Sequence, residues 1–380
     1  MHGEGKEPSM PEAGTIIIGA GPAGLACAGA LRAAGETAIV LEKADAVGSS
    51  WRRHYDRLHL HTHRRHSGLP GLPMPSHYPA YPSRDDVIAY LEAYAAHHRI
   101  APRFGTNVLR VTRGANWIVE TDHGALGARN VILATGFANA PVRPAIDGIG
   151  SFAGRVLHSR DYANPDDFRG QRVLVVGFGN SGGEIALDLA DAGVGVALSA
   201  RGPVNVVPRD LFGLPIQTWA ILQRPFPPAL VDAINAPIRR VKTGDLTKYG
   251  LRRPSKGPMT QIAEDHKIPL IDIGAIDRIR RGRIAVRPGL SRIDGTTVRF
   301  ADGARETFDA IVLATGYRPD LRPLLPDHGD ALDAAGTPRL SGRATPYAGL
   351  FFCGYVPVSS GLLREIGREA MRIAAERCRA

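Results

Sequence analysis

Two glycine-rich hexapeptides have the residue types and spacing expected of dinucleotide-binding loops. They are GAGPAG at residues 19–24 and GFGNSG at residues 177–182. In such a GxGxxG turn the first glycine permits a tight bend, the second lets a pyrophosphate approach the backbone, and the third lets helix and strand pack closely. Each copy follows an apolar strand pattern and opens a helical pattern, and in that context the short motif becomes specific. The sequence therefore predicts two dinucleotide sites.

A charged residue at a similar distance after each loop distinguishes the two sites. Glu42 lies eighteen residues after Gly24, where a carboxylate can accept hydrogen bonds from both hydroxyls of a ribose, as in FAD or NAD. Arg201 lies nineteen residues after Gly182, with Ser199 just before it and no acid nearby. An arginine offers a forked, permanently charged partner to a 2′-phosphate, which an acid would repel. The second site is therefore predicted to prefer NADPH to NADH, although a solvated loop charge would also explain Arg201.

The elements around the two loops follow the same order in both halves of the chain. The predicted elements are strands at 15–18, 38–41, 173–176 and 194–198, with helices that run to Ala34 and Ala192 and are capped by Gly35 and Gly193. Two later segments, VILATGF at 131–137 and IVLATGY at 311–317, combine an apolar strand with nearly the same glycine turn. In a doubly wound sheet such strands return beside the first strand, close to the bound dinucleotide.

The predicted fold class is α/β, with two Rossmann-like dinucleotide-binding domains of which the second is inserted into the first. We expect an FAD-binding domain at residues 1–165 and 321–380 and an NADPH-binding domain at residues 166–320. A proline-containing, partly helical insert around 212–258 is expected to form a lid or a wall of the substrate cavity. The last segment, 350–380, is expected to hold a strand, a turn and a helix. The positive end of that helix could stabilise the negative charge of reduced flavin, although a closing helix that merely packs would have the same pattern.

Length and composition exclude several classes of protein. The chain has 380 residues, a formal net charge of +10, and arginines spread along its whole length rather than gathered in a tail, so a nucleic-acid partner is not expected. Cys27, Cys353 and Cys378 form neither a CxxC pair nor a zinc pattern, and Cys353 is interpreted as a small buried hydrophobe. The first dozen residues are predicted to be a loose tail without a secretory signal, and no stretch is long enough to span a membrane. We expect a cytoplasmic enzyme without a stable membrane anchor, of open oligomeric state.

Four histidines between residues 59 and 66 require separate interpretation. In an extended strand His59, His61 and His63 would line one face, with His66 nearby, and could mimic a metal site. No acid or cysteine accompanies them in the sequence. No metal site is therefore predicted.

The segment between the two halves carries a family resemblance. FAGRVLHSRDY at Phe152–Tyr162 fits the FxGxxxHxxx(Y/F) fingerprint of class B flavin-dependent monooxygenases, and Tyr162 in place of tryptophan favours the flavin-containing monooxygenase branch. Further segments resemble the YUCCA group of that branch over most of the chain, among them GSSWRRHYDRLHLHTHRRHSGLPGLPMP, VLVVGFGNSGGEIALDL, GDLTKYGLRRP and LATGYRPD. The chain departs from the group in its shorter length and in VPVSSGLLREIG near its end.

This resemblance implies an activity. It implies an FAD- and NADPH-dependent monooxygenase that converts a 2-oxo acid, indole-3-pyruvate, to the auxin indole-3-acetate. In that scheme NADPH reduces the flavin, O2 adds at flavin C4a, and the resulting peroxide attacks the keto carbon with loss of carbon dioxide. A flavin monooxygenase acting on nitrogen, sulfur or another ketone is the first alternative. An NADPH-dependent flavin reductase is the second.

The resemblance also implies the site residues. FAD would lie against Gly19, Gly21, Gly24, Glu42, Gly48 and Trp51, and NADPH against Gly177, Gly179, Asn180, Ser181, Gly182, Ser199 and Arg201. Further cofactor contacts are expected at Pro22, Ala23, Lys43, Ser50, His61, Thr62, Thr135, Gly136, Arg209, Thr315, Gly316, Gly354, Gly361 and Leu362. A plain salt bridge would explain Arg209 equally well. His158 and Tyr162 would organise the domain junction, with His158 also a candidate proton carrier. The candidate partners of the substrate carboxylate, chosen by charge alone, are Arg64, Arg65 and Arg253.

Overall fold

Residues 12–137 and 140–377 are described by the computed structural model. The predicted tail, apart from Glu12, and Cys378 lie outside the described residues. The strands are β1 (Glu12–Ile18), β2 (Ile39–Leu41), β3 (Val108–Arg113), β4 (Trp117–Thr121), β5 (Gly124–Leu133), β6 (Ala140–Pro141), β7 (Arg155–His158), β8 (Arg172–Val176), β9 (Gly195–Ser199), β10 (Val206–Pro208), β11 (Asp210–Leu211), β12 (Leu214–Pro215), β13 (Leu270–Asp272), β14 (Ile284–Arg287), β15 (Leu290–Asp294), β16 (Thr297–Phe300), β17 (Arg305–Thr307), β18 (Ala310–Leu313), β19 (Tyr317–Arg318) and β20 (Leu350–Phe352).

The helices alternate with these strands in both halves. They are α1 (Pro22–Ala33), α2 (Ser49–Arg52), α3 (Arg84–His97), α4 (Asn180–Asp191), α5 (Ile216–Leu222), α6 (Pro228–Lys242), α7 (Pro258–Asp265), α8 (Ala275–Arg280) and α9 (Leu362–Arg377). The strands and helices predicted around the two glycine-rich turns are present. Most of their ends differ from the prediction by one residue. Within the described residues, no helix combines the length and the apolar character needed to cross a membrane.

The first sheet has the order β2-β1-β5-β4-β3, and β20 pairs with β5. Strands β2, β1, β5 and β20 are parallel, whereas β4 and β3 are joined antiparallel to β5 and to each other. The parallel strands are buried because α1, α3 and α9 pack on the sheet, which explains their nearly continuous apolar sequences.

The second sheet has the order β14-β9-β8-β18-β7, and all its pairs are parallel. Its central strand β8 lies between β9 and β18, as β1 lies between β2 and β5 in the first sheet. Helices α4 and α8 cover this sheet and share a hydrophobic core with it. The α/β class and the repeated strand order predicted from the sequence are therefore confirmed.

Three helices of the chain segment between β12 and β13 stand apart from both sheets. Helix α6 packs on α7, α5 contacts β12, and Gln223 at the end of α5 forms hydrogen bonds with Asn235 of α6. Their outer side chains include exposed apolar residues such as Leu222, Leu230 and Ile234. The predicted partly helical insert is thus present and extends through α7 to Asp265.

Candidate dinucleotide sites and the adjoining cavity

The two glycine-rich turns have nearly the same backbone. Gly19 has φ +109° and Gly177 has φ +106°, a region that favours glycine. A Cβ atom on Gly19 would lie 2.6 Å from the carbonyl oxygen of Ala134, and one on Gly177 would lie 2.4 Å from that of Ala314. Each turn therefore packs against the loop that follows the returning strand, β5 or β18, and only glycine fits there.

The third glycine of each turn closes the contact between strand and helix. A Cβ on Gly24 would lie 1.8 Å from the Gly19 oxygen, and a Cβ on Gly182 would lie 2.0 Å from the Gly177 oxygen. Contacts this short cannot be relieved by side-chain motion, because the oxygen belongs to the backbone and the backbone fixes the position of a Cβ. The sequence-based interpretation of the third glycine as a packing residue agrees with this geometry.

The second glycine of each turn faces space that no other described residue fills. Gly21 and Gly179 are the N-cap residues of α1 and α4, without a side-chain cap, and no described atom outside the neighbouring backbone lies within 4 Å of where their Cβ would stand. The first amide groups of each helix are thus left to bind an anion, aided by the helix dipole. Pro22, which has no amide hydrogen, and Ala23 begin α1. Both turns have the cradle that a dinucleotide pyrophosphate requires.

Glu42 lies at the end of β2 and is 6% exposed. Its carboxylate accepts hydrogen bonds from the Ala20 amide at 2.7 Å, the Ala44 amide at 3.0 Å and the Ser49 hydroxyl at 3.2 Å. These donors fix the carboxylate beside the first turn. Each oxygen has further acceptor capacity, so the group can still meet ribose hydroxyls.

The charged residue after β9 is a cation, Arg201, where the first turn has an acid. Ser199 is buried and donates its hydroxyl to the Pro288 carbonyl at 2.7 Å, while Arg201 is exposed and packs along Gly289. No acid of the described residues forms an ion pair with Arg201, since none lies within 4.0 Å of its guanidinium. Arg209 differs, because its guanidinium lies 4.1 Å above the Tyr81 ring centroid and 3.4 Å from Asp210. The salt-bridge interpretation of Arg209 thus has direct structural support, and Arg201 is the freer cation.

The remaining residues predicted to contact a cofactor around the first turn lie in three loops that meet there. Gly48 has φ +67°, and its amide donates to the Ala20 carbonyl at 3.1 Å. A Cβ on Gly354 would lie 3.1 Å from the Cβ of Ala23, and one on Gly361 would lie 2.8 Å from Thr62. Ser50 and Trp51 are half-buried in α2, while Lys43 and Leu362 are exposed.

The two loops after the returning strands are fixed by different side chains. The Thr135 amide and hydroxyl both contact the Tyr355 hydroxyl, at 3.1 and 2.9 Å. Beside the second turn, Thr315 donates its hydroxyl to the Val142 carbonyl, and Gly316 is contacted by His158. Gly136 and Gly316 have φ values of +85° and +84°, with open space where a Cβ would stand. Both loops therefore leave room beside the cradles.

His158 is fully buried at the end of β7. Its Nδ1 accepts the Arg160 amide at 3.1 Å, so the ring hydrogen resides on Nε2, which donates to the Gly316 carbonyl at 3.2 Å. Burial lowers the pKa of His158. Both ring nitrogens are engaged, which supports the organising role predicted for this residue more than a role in carrying protons.

Helix α4 carries three acids on one face, Glu184, Asp188 and Asp191, which we call the acid stripe. Tyr55 donates its hydroxyl to Glu184 at 2.8 Å, and Tyr162 donates its hydroxyl to Asp188 at 2.8 Å. Burial raises the pKa values of both tyrosines and of Asp188. The acid stripe thereby ties the loop after α2 and the fingerprint segment to the second sheet.

Two arginines complete this network. Arg57 lies 2.8 Å from Asp191 and 3.6 Å from Asp188, and Arg278 lies 2.8 Å from Asp191. The sequence analysis identified Tyr162 but not its partners. The missed signal was the spacing of acids at i, i+4 and i+7 in a helix that is otherwise apolar, GGEIALDLAD.

A cavity of about 440 Å³ lies between the first turn's loops and the helices of the insert. His61, Thr62, Gly354 and Gly361 line one side, and Asn180 from the start of α4 lines another. The remaining wall is mostly apolar and comes from the insert, with residues that include Ile216, Trp219, Ile238, Met259 and Ile262. The cavity therefore adjoins residues of both predicted cofactor sites, and the insert forms its wall.

The four histidines do not lie on one strand face, which corrects the extended strand considered from the sequence. His61 Nε2 lies 3.5 Å from Glu184, His63 Nδ1 accepts the Arg65 amide, and His66 Nε2 lies 2.9 Å from the Thr218 hydroxyl. His59 is exposed. His61 and His66 contact partners that are distant in sequence, while the His63 and His66 rings meet edge to face with their centroids 6.4 Å apart. Among the described residues no group of three or more metal-binding side chains is assembled.

The arginines proposed from charge alone as partners of a carboxylate lie outside the cavity. Arg64 and Arg65 line a separate surface depression, and Arg253 is exposed and pairs with Asp245 at 3.7 Å. Cys353 is fully buried, and its hydrogen bond with Cys27 together with burial raises the pKa of its thiol, as expected for a packing residue.

Comparison with known proteins gives consistent results. Residues 16–210 match the family model described as pyridine nucleotide-disulphide oxidoreductase. The chain is 42% identical over 331 residues to indole-3-pyruvate monooxygenase YUCCA1 of Oryza sativa subsp. japonica, covering 85% of this chain and 81% of the relative. It is 37% identical over 395 aligned positions to indole-3-pyruvate monooxygenase YUCCA8 of Oryza sativa subsp. indica, covering 98% and 93%. A flavin-containing monooxygenase from Stenotrophomonas maltophilia has a similar structure, with a TM-score of 0.73, 26% identity, and coverage of 97% of this chain and 100% of that chain.

Proposed function

Because this chain belongs to the YUCCA family of flavin-dependent monooxygenases, we propose that it oxidises indole-3-pyruvate with NADPH, a proton and O2 to give indole-3-acetate, carbon dioxide, water and NADP⁺. The observation that carries the proposal is the cavity of about 440 Å³, which is walled mostly by apolar side chains and is lined by Asn180 of the second turn and by Gly354, which packs on Ala23 of the first. Its relatives of that named activity match this chain over 85% and 98% of its length. An aromatic 2-oxo acid has the size and character that such a cavity accepts.

The cofactors of this proposal are FAD at the first turn and NADPH at the second. The open approach to Gly21 and the fixed carboxylate of Glu42 support an adenosine ribose and pyrophosphate at the first turn. The open approach to Gly179 and the unpaired cation of Arg201 support a 2′-phosphorylated dinucleotide at the second. Bound FAD, once reduced by NADPH, would activate O2 so that one oxygen atom reaches the substrate.

In this proposal the protein's own residues position the substrate and exclude water. The insert closes the cavity with apolar side chains such as Trp219, Met259 and Ile262. Water that reached the reacting atoms would divert the reduced cofactor into producing hydrogen peroxide, so a dry wall favours oxygen transfer. Little acid-base catalysis is required of side chains, and His158 has no free ring nitrogen to supply it.

We also propose a division of the chain into an FAD domain and an inserted NADPH domain. It is supported by the first sheet, which takes its strands from residues 12–133 and 350–352, while the second takes its strands from residues 155–313. Strand β7 pairs with β18 in the second sheet, although the expected first domain extended to residue 165. We therefore place the boundary before Arg155.

The test is product analysis with the purified protein. We expect a yellow flavin spectrum and NADPH consumption that rises when indole-3-pyruvate is added under air, with one indole-3-acetate formed per coupled NADPH. Amines, sulfides and other ketones serve as competing substrates. If one of these compounds raises NADPH oxidation while indole-3-pyruvate yields no indole-3-acetate, the proposed substrate is wrong. If turnover continues without O2, the protein is a reductase and not a monooxygenase.

A further inference from the structure

The cavity offers few charged groups to a substrate that carries a carboxylate. A carboxylate that leaves water for an apolar cavity requires a charged or hydrogen-bonding partner, since an unpaired buried anion is strongly disfavoured. The permanently or usually charged residues among its described lining are Asp232, Arg239 and Lys242, all on α6. The candidate partners of a substrate carboxylate therefore lie on one face of this helix.

Asp232 does not neutralise its neighbours on this face. Its carboxylate accepts the amides of Met259 and Thr260 at 3.0 and 2.8 Å and the Thr260 hydroxyl at 2.7 Å. These donors are at the start of α7, so Asp232 caps that helix. The negative charge is engaged away from the two cations.

Arg239 lies two helical turns after Asp232 on the same face and is half-buried. It is the only arginine among the described residues that line the cavity, and no acid of the described chain lies within ion-pair distance of it. Lys242 is exposed, and its amine lies 5.9 Å from the Phe212 ring centroid. Arg239 thus presents an unpaired guanidinium to a mostly apolar space.

We propose that Arg239 binds the carboxylate of the substrate and so selects 2-oxo acids over neutral ketones. A guanidinium binds a carboxylate through two parallel hydrogen bonds, and its partial burial strengthens them relative to a surface pair. The aromatic part of the substrate then occupies the apolar wall around Trp219 and Ile262. This inference rests on the proposed function, and it names the residue that would give that function its substrate class.

The test uses Arg239→Gln and, as a matched control, Arg240→Gln in the flavin-bound enzyme. Arg240 is the next residue of α6, has the same charge, is exposed and does not line the cavity. Arg239→Gln is expected to raise the KM for indole-3-pyruvate roughly 10- to 100-fold, because a charged hydrogen bond is lost. Arg240→Gln should leave the KM within about twofold, since isolated surface charges contribute little. Arg239→Lys should restore part of the affinity, because a lysine retains the charge without the fork.

Binding without turnover separates this inference from the proposed function. Calorimetric titration of the oxidised, flavin-bound protein with indole-3-acetate should show affinity that falls roughly 10-fold or more in Arg239→Gln and persists in Arg240→Gln. The methyl ketone that lacks the carboxylate should be bound equally by all three proteins. Flavin content and thermal unfolding confirm that each variant is folded.

The outcomes distinguish the two proposals. If the unaltered enzyme forms indole-3-acetate and Arg239→Gln keeps the KM and affinity of the parent, Arg239 is not the carboxylate partner although the proposed function stands. If the unaltered enzyme forms no indole-3-acetate but binds aromatic carboxylates through Arg239, the proposed substrate fails and the carboxylate site stands. An equal loss of affinity in Arg239→Gln and Arg240→Gln would show that only the overall positive charge of the helix matters, and it would overturn the inference.

Discussion

The two glycine-rich turns have nearly the same backbone but opposite charges at the ends of the following strands. The first glycines differ by only 3° in φ, from the values of 109° and 106°, and the third glycines meet the same carbonyl oxygen of their own turn. Glu42 is buried and holds three hydrogen bonds, whereas Arg201 is exposed. The acid is therefore part of the fold, while the arginine is available mainly to a ligand. The two turns thus offer the same backbone geometry to a dinucleotide, and in our proposal the charge beside each turn selects which one binds.

The largest effect is expected from alanine at the third glycine of either turn. In Gly24→Ala and Gly182→Ala the new methyl group would meet backbone oxygen at 1.8 and 2.0 Å, which we expect to cost about 3 kcal/mol or more of the free energy of unfolding. Gly24→Ala should lose flavin, whereas Gly182→Ala should retain part of it and lose reduction by NADPH. Flavin absorbance and anaerobic reduction rates measure the two.

Alanine at the second glycine is the matched control. Gly21→Ala and Gly179→Ala place the methyl group in open space at an ordinary φ, so stability should hold while the affinity for the respective dinucleotide falls. Equal loss of flavin in Gly24→Ala and Gly182→Ala would show that the two turns do not serve separate cofactors.

Glu42→Ala is expected to have the next largest effect. Three donors, the Ala20 and Ala44 amides and the Ser49 hydroxyl, would lose their acceptor beside the first turn. We expect a loss of about 3 kcal/mol in urea unfolding, measured without added cofactor, because unpaired buried donors are costly. A variant as stable as the parent would contradict the structural role assigned to this acid.

Arg201→Ala tests the charged residue beside the second turn. Because Arg201 is exposed and pairs with no acid of the described residues, its removal should change stability by less than about 0.5 kcal/mol. The KM for NADPH should rise roughly 10- to 100-fold through loss of a charge-assisted contact to the 2′-phosphate, while the KM for NADH should stay constant. Arg209→Ala, which removes a cation already paired with Asp210, should have the smaller effect. Parallel increases for both nucleotides would disprove recognition of the 2′-phosphate.

The smallest expected effect is the dependence of stability on pH that comes from His158, which contacts the loop after β18. Burial lowers the pKa of His158 from its ordinary value of 6.5, so the unfolded chain takes up a proton at a higher pH than the folded protein does. The stability due to neutral His158 is therefore complete above pH 6.5 and is lost as the pH falls from 6.5 towards the folded pKa, at up to about 1.4 kcal/mol per pH unit.

The difference in unfolding free energy between the parent and His158→Gln should accordingly shrink between pH 7.5 and about pH 5.5. Tyr355→Phe is the control in the other half, because burial raises the pKa of Tyr355 and it does not titrate in this range. A difference for His158→Gln that is independent of pH would show that its ring is not neutral and buried in solution.

The sequence was sufficient wherever a feature depends on a few neighbouring residues. The turns, the helices that follow them and the charges at Glu42 and Arg201 were all predicted, because glycine spacing and apolar periodicity act through local backbone geometry. The fingerprint residues His158 and Tyr162 were identified from the family resemblance. Their partners Gly316 and Asp188 were not.

The extended strand considered for the histidines shows the limit of such reasoning. Alternation along a strand would have placed His59, His61 and His63 together, but His61 turns to Glu184, and His66 turns to Thr218, 152 residues away in sequence. Arg64, Arg65 and Arg253, which were candidates by charge alone, do not line the cavity for the same reason. Charge is visible in a sequence, whereas proximity to a cavity is not.

By itself the sequence determined the class of fold, the two dinucleotide turns and the charge beside each, since these depend on residues close together in the chain. The tertiary structure alone decided which faces meet. It placed the acid stripe of α4 against Tyr55 and Tyr162, and it set Arg239 rather than its neighbour Arg240 in the cavity wall. The physical reason is that burial and pairing arise from contacts between segments that are not neighbours in the chain, and no local pattern records them. Tyr55 and Glu184 are 129 residues apart, and Tyr162 and Asp188 are 26 residues apart.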